Sequence, residues 1–330
     1  LEAGIVRKGP WLTRERAACI RFEGGREESD EAAGHGTGCD GSVDILIERL
    51  DFGSKCLPLA FIEACLKHEL RGALLTVFES ENALVPVGAR FALDERGNRT
   101  SSLIDESARA ALCCAAQNAL GEAHPRSRVA YGEGFAALLE VIEPAPHLFV
   151  FGSGPDALPV AELAVLLGLG VTVCEPNPRF AVRERFAGCA ELHLGSIDSV
   201  LPKLEARRCP MGVVMSHHYP TDVQALGVLL RSRATYIGML GPERRTRRMF
   251  NELFPNHSGP LPVRVRAPIG LDLGAESPTQ IALSIIAEIQ SVLGQASAEP
   301  LSRRSARPIH ALAPELTLPR STQLAKTGAR

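Results

Sequence analysis

The strongest constraint in this chain is a short apolar run, Leu148 to Phe151, that leads directly into Gly152-Ser153-Gly154-Pro155-Asp156-Ala157 and then a helical pattern reaching Leu167. A second run, Val171 to Cys174, ends on Glu175. Strand, glycine turn, helix, strand and acid in that order specify a Rossmann-type unit. Gly152 permits the tight turn, Gly154 lets the backbone approach a phosphate, and the small Ala157 lets helix and strand pack closely. The helix N-terminus then offers free N–H groups to an anion, and Glu175 stands where a ribose hydroxyl partner sits. Two residues oppose a standard dinucleotide mode. Pro155 removes one N–H from the phosphate-binding set, and Asp156 adds a negative charge beside it. The turn is therefore read as a site for some phosphorylated ligand, with a purely structural turn as the alternative.

The same alternation continues. Glu191 to Leu194, Met211 to Met215 and Thr235 to Leu240 read as further strands. Arg179 to Phe186, Thr221 to Arg231, Glu243 to Phe250 and Pro278 to Val292 read as helices, the last with Ser277 as N-cap. Short apolar strands alternating with helices predict a doubly wound parallel sheet over residues 147–292. Residues 1–144 precede a stiff Glu143-Pro144-Ala145-Pro146 connector and read as α+β. Strands are expected at Ala17 to Phe22, at Gly72 to Phe78, at Leu84 to Leu93 and at Phe135 to Ile142, and Val43 to Leu50 is an apolar run punctuated by Asp44, Glu48 and Arg49. Helices are expected at Pro58 to Leu70 and Ser107 to Leu120. Residues 296–330 lack periodicity and read as a disordered tail.

Composition narrows the function classes. The net charge of −2, from 36 basic and 38 acidic residues, points to neither nucleic acid nor an anionic membrane surface. Aromatics at 5%, with Trp11 the single tryptophan, do not make a stacking platform for single strands. The nine cysteines are scattered, and their closest pair is the adjacent Cys113-Cys114. That spacing matches neither a disulfide framework nor a structural zinc site, and a reducing cytoplasm is expected. The chain shows no signal peptide and no 18-residue apolar run. It opens without methionine and is read as cut at its N-terminus.

Further glycine-bearing loops follow later strands, at the carboxyl ends where open α/β sheets bind ligands. Met215-Ser216-His217-His218-Tyr219-Pro220-Thr221-Asp222 places His217 and His218 for acid/base or ligand contact. The bland alternative is one capping or core-satisfied imidazole and one exposed. Tyr236-Ile237-Gly238-Met239-Leu240-Gly241-Pro242-Glu243 leads into Arg244, Arg245, Arg247 and Arg248, which either reach an anionic ligand or form a solvated helix face. Ala267 to Glu276 is another glycine-bearing loop before a helix. Near the start, Gly34-His35-Gly36-Thr37-Gly38-Cys39-Asp40-Gly41 is glycine-rich around a cysteine.

Taken together, GSGPDALPVAELAVLLG, VMSHHYPTD, YIGMLGPERR and APIGLDLGAESPTQIALSIIAEI resemble the XdhC/CoxI family, accessory proteins for xanthine dehydrogenase and related molybdenum hydroxylases. GTGCDGSVDILIERL (Gly36 to Leu50) looks like that family's N-terminal glycine-cysteine motif, although it reads Gly-Cys-Asp-Gly where Gly-Gly-Cys is commoner. The likeness runs from about residue 36 to about residue 290 and implies an N-terminal domain lacking its first segment. It also implies that the chain binds the molybdenum cofactor (molybdopterin) as cargo, protects it during sulfuration and helps insert it into a hydroxylase apoenzyme. The chain would then be a maturation chaperone rather than a catalyst, with no catalytic residues of its own. Implied partners are that apoenzyme, a cysteine desulfurase or sulfurtransferase, and a second copy in a homodimer.

Residues expected to hold the cofactor are Gly38, Cys39, Gly41, Gly152, Gly154, Asp156, Glu175, His217, His218, Gly241 and Arg244. The cofactor's phosphate suits the helix N-terminus at Gly152 to Ala157. Its metal accepts a soft thiolate, for which Cys39 is the candidate ligand, the alternative being a small buried residue in a tight turn. Two competing functions remain at this level. One is an NAD(P)-dependent oxidoreductase with Glu175 on the ribose and His217 as acid/base. The other is a scaffold that docks a sulfurtransferase and a hydroxylase.

Overall fold

The computed structural model describes residues 2–14, 16–23, 42–49, 56–123, 125–177, 179, 183–188, 190–257, 259–303 and 314–318. The chain divides into two compact units, Leu1–Glu143 with His310–Arg330, and Pro144–Ile309.

The first unit contains α1 (Glu2–Leu12), β1 (Ala18–Glu23), β2 (Ser42–Ile47), α2 (Leu57–Lys67), β3 (Gly72–Ser80), β4 (Arg90–Asp94), β5 (Arg99–Ser101), α3 (Glu106–Gly121), β6 (Arg128–Gly132) and β7 (Phe135–Ile142). β1 and β2 form an antiparallel ribbon, while the others join a six-stranded sheet in which β7 and β3 are central. Alternation along the strands sends Ala73, Leu75, Val77, Phe91, Leu93, Ala137 and Leu139 to one face. α3 covers that face with Ala108, Ala111, Leu112, Ala115 and Ala119, at helical spacing. Its N-terminus is fixed by Asp105, whose carboxylate accepts from the Ala108 N–H at 2.7 Å.

Three expectations are corrected here. Leu84 to Leu93 is not one strand. Asn82 organises a turn by accepting from the Leu84 N–H at 2.9 Å, Pro86 cannot donate to a ladder, and pairing starts only at Arg90. β5 and β6 are short strands that the sequence reading left unassigned, as it did α1, whose Gly4, Gly9 and Pro10 oppose a helix. The stretch expected as a disordered tail contributes the final strand, Leu316–Thr317, which pairs parallel to β6, and Leu318 beside it is buried.

The second unit contains β8 (His147–Phe151), α4 (Ala157–Leu166), β9 (Gly170–Glu175), α5 (Arg183–Phe186), β10 (Glu191–Leu194), α6 (Leu201–Ala206), β11 (Pro210–Val214), α7 (Tyr219–Arg231), β12 (Tyr236–Met239), α8 (Glu243–Leu253), β13 (Val265–Arg266) and α9 (Pro278–Leu293). Its six strands lie in the order β10-β9-β8-β11-β12-β13, all parallel. This is the 3-2-1-4-5-6 order of the Rossmann fold. β8 and β11 are buried at every position, so they read as continuous apolar runs. One face packs against α4 and α9, and the other against α6, α7 and α8. Ser277 caps α9 as expected, with Gln280 completing a capping box. Among the described residues, no helix is long and apolar enough to cross a membrane.

Candidate functional site

β8 is the first strand of the second unit. Its chain neighbour β9 lies on one side and β11 on the other. The order therefore reverses beside β8, and the loops leaving β8 and β11 flank the switch point where such sheets bind ligands. Gly152 opens the first loop at φ +121°, and a Cβ there would stand 2.7 Å from the Ser216 Cα and 2.8 Å from the Met215 carbonyl oxygen. Its glycine requirement comes from the neighbouring strand's backbone as well as from the turn. Gly154 differs: a Cβ there would meet nothing within 4 Å. The space that the sequence assigns to an approaching ligand is open.

Glu175, at the end of β9, is buried and faces this loop. Its Oε2 accepts from the Ser153 hydroxyl at 2.7 Å and its Oε1 from the Asn177 N–H at 2.9 Å. Arg185, on α5, donates from Nη1 to the Ser153 carbonyl at 2.8 Å. The acid expected to hold a ribose hydroxyl is thus engaged in fixing the glycine loop, and a guanidinium stands on the same loop.

The β11 loop is held differently. Asp222, in the first turn of α7, is almost fully buried. Its Oδ1 accepts from the Ser216 hydroxyl at 2.5 Å, and its Oδ2 accepts from Arg245 Nη1 at 2.8 Å. This network links the β11 loop to α8, and burial makes each of its hydrogen bonds costly to lose. Between Ser216 and α7, His217 adopts φ +58°, a left-handed conformation unusual for a non-glycine residue. Its exposed imidazole reaches Asp156 Oδ2 at 3.1 Å from Nε2. Strained backbone that the surroundings hold in place is characteristic of ligand-binding loops. His218 occupies the N-cap position of α7, with Nδ1 2.8 Å from the Thr221 hydroxyl. Both imidazoles are exposed, so neither is satisfied in the core, while His218 at the N-cap position and exposed His217 remain compatible with one capping and one exposed imidazole.

Gly241 begins the loop after β12, one strand further along. The four arginines that follow separate clearly. Arg245 binds Asp222, Arg247 pairs with Glu243, and Arg248 lies 5.2 Å over the Tyr219 ring. Arg244 is exposed with no partner among the described residues. Hydrogen bonds tie Glu175 and His217 to the loop of residues 152–156; His218 stands next to His217 at the start of α7, and Gly241 and Arg244 lie in the loop after β12 and at the start of α8. Gly38, Cys39 and Gly41 lie outside the described residues. Among the described residues, no group of three or more His, Cys, Asp or Glu is placed to hold a metal.

Sequence reasoning missed Ser153, Arg185, Ser216 and Asp222 as members of this site. The signal for Asp222 was present: an acid in the first turn of an otherwise apolar helix face, beside Ala225, Leu226 and Leu229.

A protein of Bacillus subtilis named as a probable xanthine dehydrogenase subunit is 34% identical over 151 residues, 46% of this chain and 44% of that protein. An uncharacterized Escherichia coli K12 protein, YqeB, is 27% identical over 167 residues, 50% of this chain and 30% of that protein. The matches thus span less than half the length of either relative. A crystal structure of a protein named as a xanthine dehydrogenase from Bacillus halodurans shares the fold at a TM-score of 0.70 and 21% identity, covering 93% of this chain and 82% of that one. Residues 148–289 match the family model of the XdhC Rossmann domain.

Proposed function

We propose that this chain is an accessory protein that carries a phosphorylated molybdenum–pterin cofactor as cargo, protects it during sulfuration and delivers it to a xanthine dehydrogenase-type hydroxylase. The observation that carries the reading is the open space at Gly154, beside an α4 N-terminus that no side chain caps, at the switch point of the parallel sheet. Uncapped N–H groups and the positive end of the helix dipole attract an anion. Arg185 adds a positive charge to the same loop. His217 engages the Asp156 carboxylate, which otherwise repels a phosphate. The residues fit a phosphorylated cargo, whose phosphate would rest on the backbone of residues 153–157 while His217, His218 and Arg244 face the rest of it. Cys39 would supply the soft ligand to the metal. Cysteine desulfurase or sulfurtransferase docking, and a homodimer, belong to the same proposal.

The competing oxidoreductase reading needs Glu175 for a ribose. Both of its oxygens already accept protein hydrogen bonds, and Pro155 lacks the N–H that a pyrophosphate uses. Native purification followed by mixing with an apo-hydroxylase tests the proposal. Co-purifying pterin and restored hydroxylase activity are expected. If no pterin is carried or transferred, while calorimetry shows NAD or NADP binding, the oxidoreductase reading replaces it.

A further inference from the structure

The last described segment of the chain is a peptide seated on a sheet edge. Residues 314–319 read Pro-Glu-Leu-Thr-Leu-Pro. Leu316 stands opposite Ala130 and Thr317 opposite Tyr131, parallel to β6, and the Leu318 N–H donates to the Tyr131 carbonyl at 2.8 Å. Without this segment β6 is the outermost strand of the six-stranded sheet. Its outer N–H and C=O groups are then a template for any extended chain. The segment arrives from far along the sequence. The Tyr131 hydroxyl donates to Glu315 Oε1 at 3.4 Å across 184 residues, and the whole second unit lies between them in sequence.

This seating has both parts of recognition by strand addition: backbone bonds give affinity, and pockets at alternate positions give specificity. Ala130 belongs to the core that α3 covers, so the register sends Leu316 and Leu318 to that side. Leu316 packs against the core, and Leu318 is 4% exposed within it. Glu315 and Thr317 alternate to the other side, where Glu315 meets Tyr131. The sequence sets the segment for this role before it docks. Pro314 fixes its own φ, and a proline after Leu318 restricts that leucine to extended backbone.

The hold is nevertheless small. Two residues of the segment pair with β6, whereas β7 pairs with β6 over five. One leucine supplies the fully buried anchor. Beside it a cavity of about 240 Å³ remains, lined by Ala108 and Ala111 of α3 and by Asn82, Gly132 and Phe135. The leucine therefore leaves room in its own pocket. A longer strand of the same pattern adds backbone bonds to an edge that is already ordered, and so can outcompete this short ladder.

We infer that the β6 edge is a docking site for an extended segment of a partner protein, apolar at alternate positions, and that Pro314 to Leu318 is a displaceable occupant covering it. The partner's segment adds parallel to β6 and places two aliphatic side chains where Leu316 and Leu318 sit. It pairs along more of the edge than the chain's own segment does. The inference stands on the first unit alone and is independent of the cargo reading.

Fluorescence anisotropy with a labelled peptide of residues 313–320 (APELTLPR), titrated with the full chain, tests it. In the wild type the tethered segment competes at high effective concentration. The full-length double variant Leu316→Glu/Leu318→Glu cannot seat its own segment. It should bind the peptide saturably and at least about tenfold more tightly than wild type does. A peptide with serine at both leucine positions should bind it about tenfold or more weakly. In the wild type, where no substitution disturbs folding, saturating peptide should speed hydrogen exchange at the chain's own Leu318 N–H. No saturable binding by the folded double variant, equal affinity of the two chains, equal affinity of the serine peptide, or unchanged Leu318 exchange would overturn the inference.

Discussion

The chain builds two six-stranded sheets and uses them in opposite ways. In the Rossmann unit every strand is parallel, and helices bury both faces, with Phe149 and Phe151 facing one core and Leu148 and Val150 the other. Nothing can bind to a face, so chemistry is displaced to the loops at the carboxyl ends. In the first unit most pairs are antiparallel and α3 buries one face thoroughly. The opposite face keeps Leu138 and Tyr131 exposed and retains a cavity. Parallel pairing leaves an edge-of-strand site, whereas antiparallel pairing leaves a face site.

Substitutions can break or sharpen that contrast, beginning with the largest effect. Gly152→Val places a side chain against the Ser216 backbone at φ +121°. Strain and overpacking together should cost about 4 kcal/mol or more in denaturant unfolding. A loss below about 1 kcal/mol would show that the two loops are not pinned together. Leu75→Ala, on the face buried by α3, should cost about 3–4 kcal/mol, while Leu138→Ala on the opposite face should cost under about 1 kcal/mol. Equal losses would mean that both faces of this sheet are packed, and the contrast would collapse.

Asp222→Ala unties Ser216 from Arg245. Arg245 is partly exposed and can rehydrate, so a loss of about 3 kcal/mol, at the low end for a broken buried pair, is expected in thermal unfolding. His217 should then relax from its left-handed conformation, which a change in its imidazole NMR shifts would report. Ser277→Ala removes one arm of the α9 capping box, far from either site, and should cost about 1 kcal/mol without altering ligand binding.

Much of this contrast was legible in the sequence. The buried strands Leu148–Phe151 and Met211–Val214 announce themselves as unbroken apolar runs, and Gly152, Gly154 and Glu175 mark the first crossover. Phe135 to Ile142 was also readable, because its alternation matches a one-faced sheet. What stayed hidden depended on tertiary pairing. β5 and β6 are too short for periodicity to show, and Leu316–Thr317 becomes a strand only because β6 offers it an edge. At the site, residue types were readable but their partners were not. Glu175 reads as a ribose partner, but its hold on Ser153 is not visible from the sequence. Asp222 ends the Met215 to Asp222 stretch that follows the fourth Rossmann strand, yet its tie to Arg245 crosses 23 residues of sequence. The polar side chains Thr76, Arg90 and Glu140 that line the cavity on the open sheet face come from three strands whose register no local pattern discloses.

In the proposed function the α4 N-terminus at Gly154 holds the phosphate of a pterin cargo. The most direct measurement compares the affinity of wild type and Gly154→Val for the molybdenum cofactor, with and without its phosphate removed enzymatically. Wild type should bind saturably, Gly154→Val about tenfold or more weakly, and both proteins should bind the dephosphorylated form equally weakly. Undiminished binding by folded Gly154→Val, or indifference of the wild type to the phosphate, would contradict it.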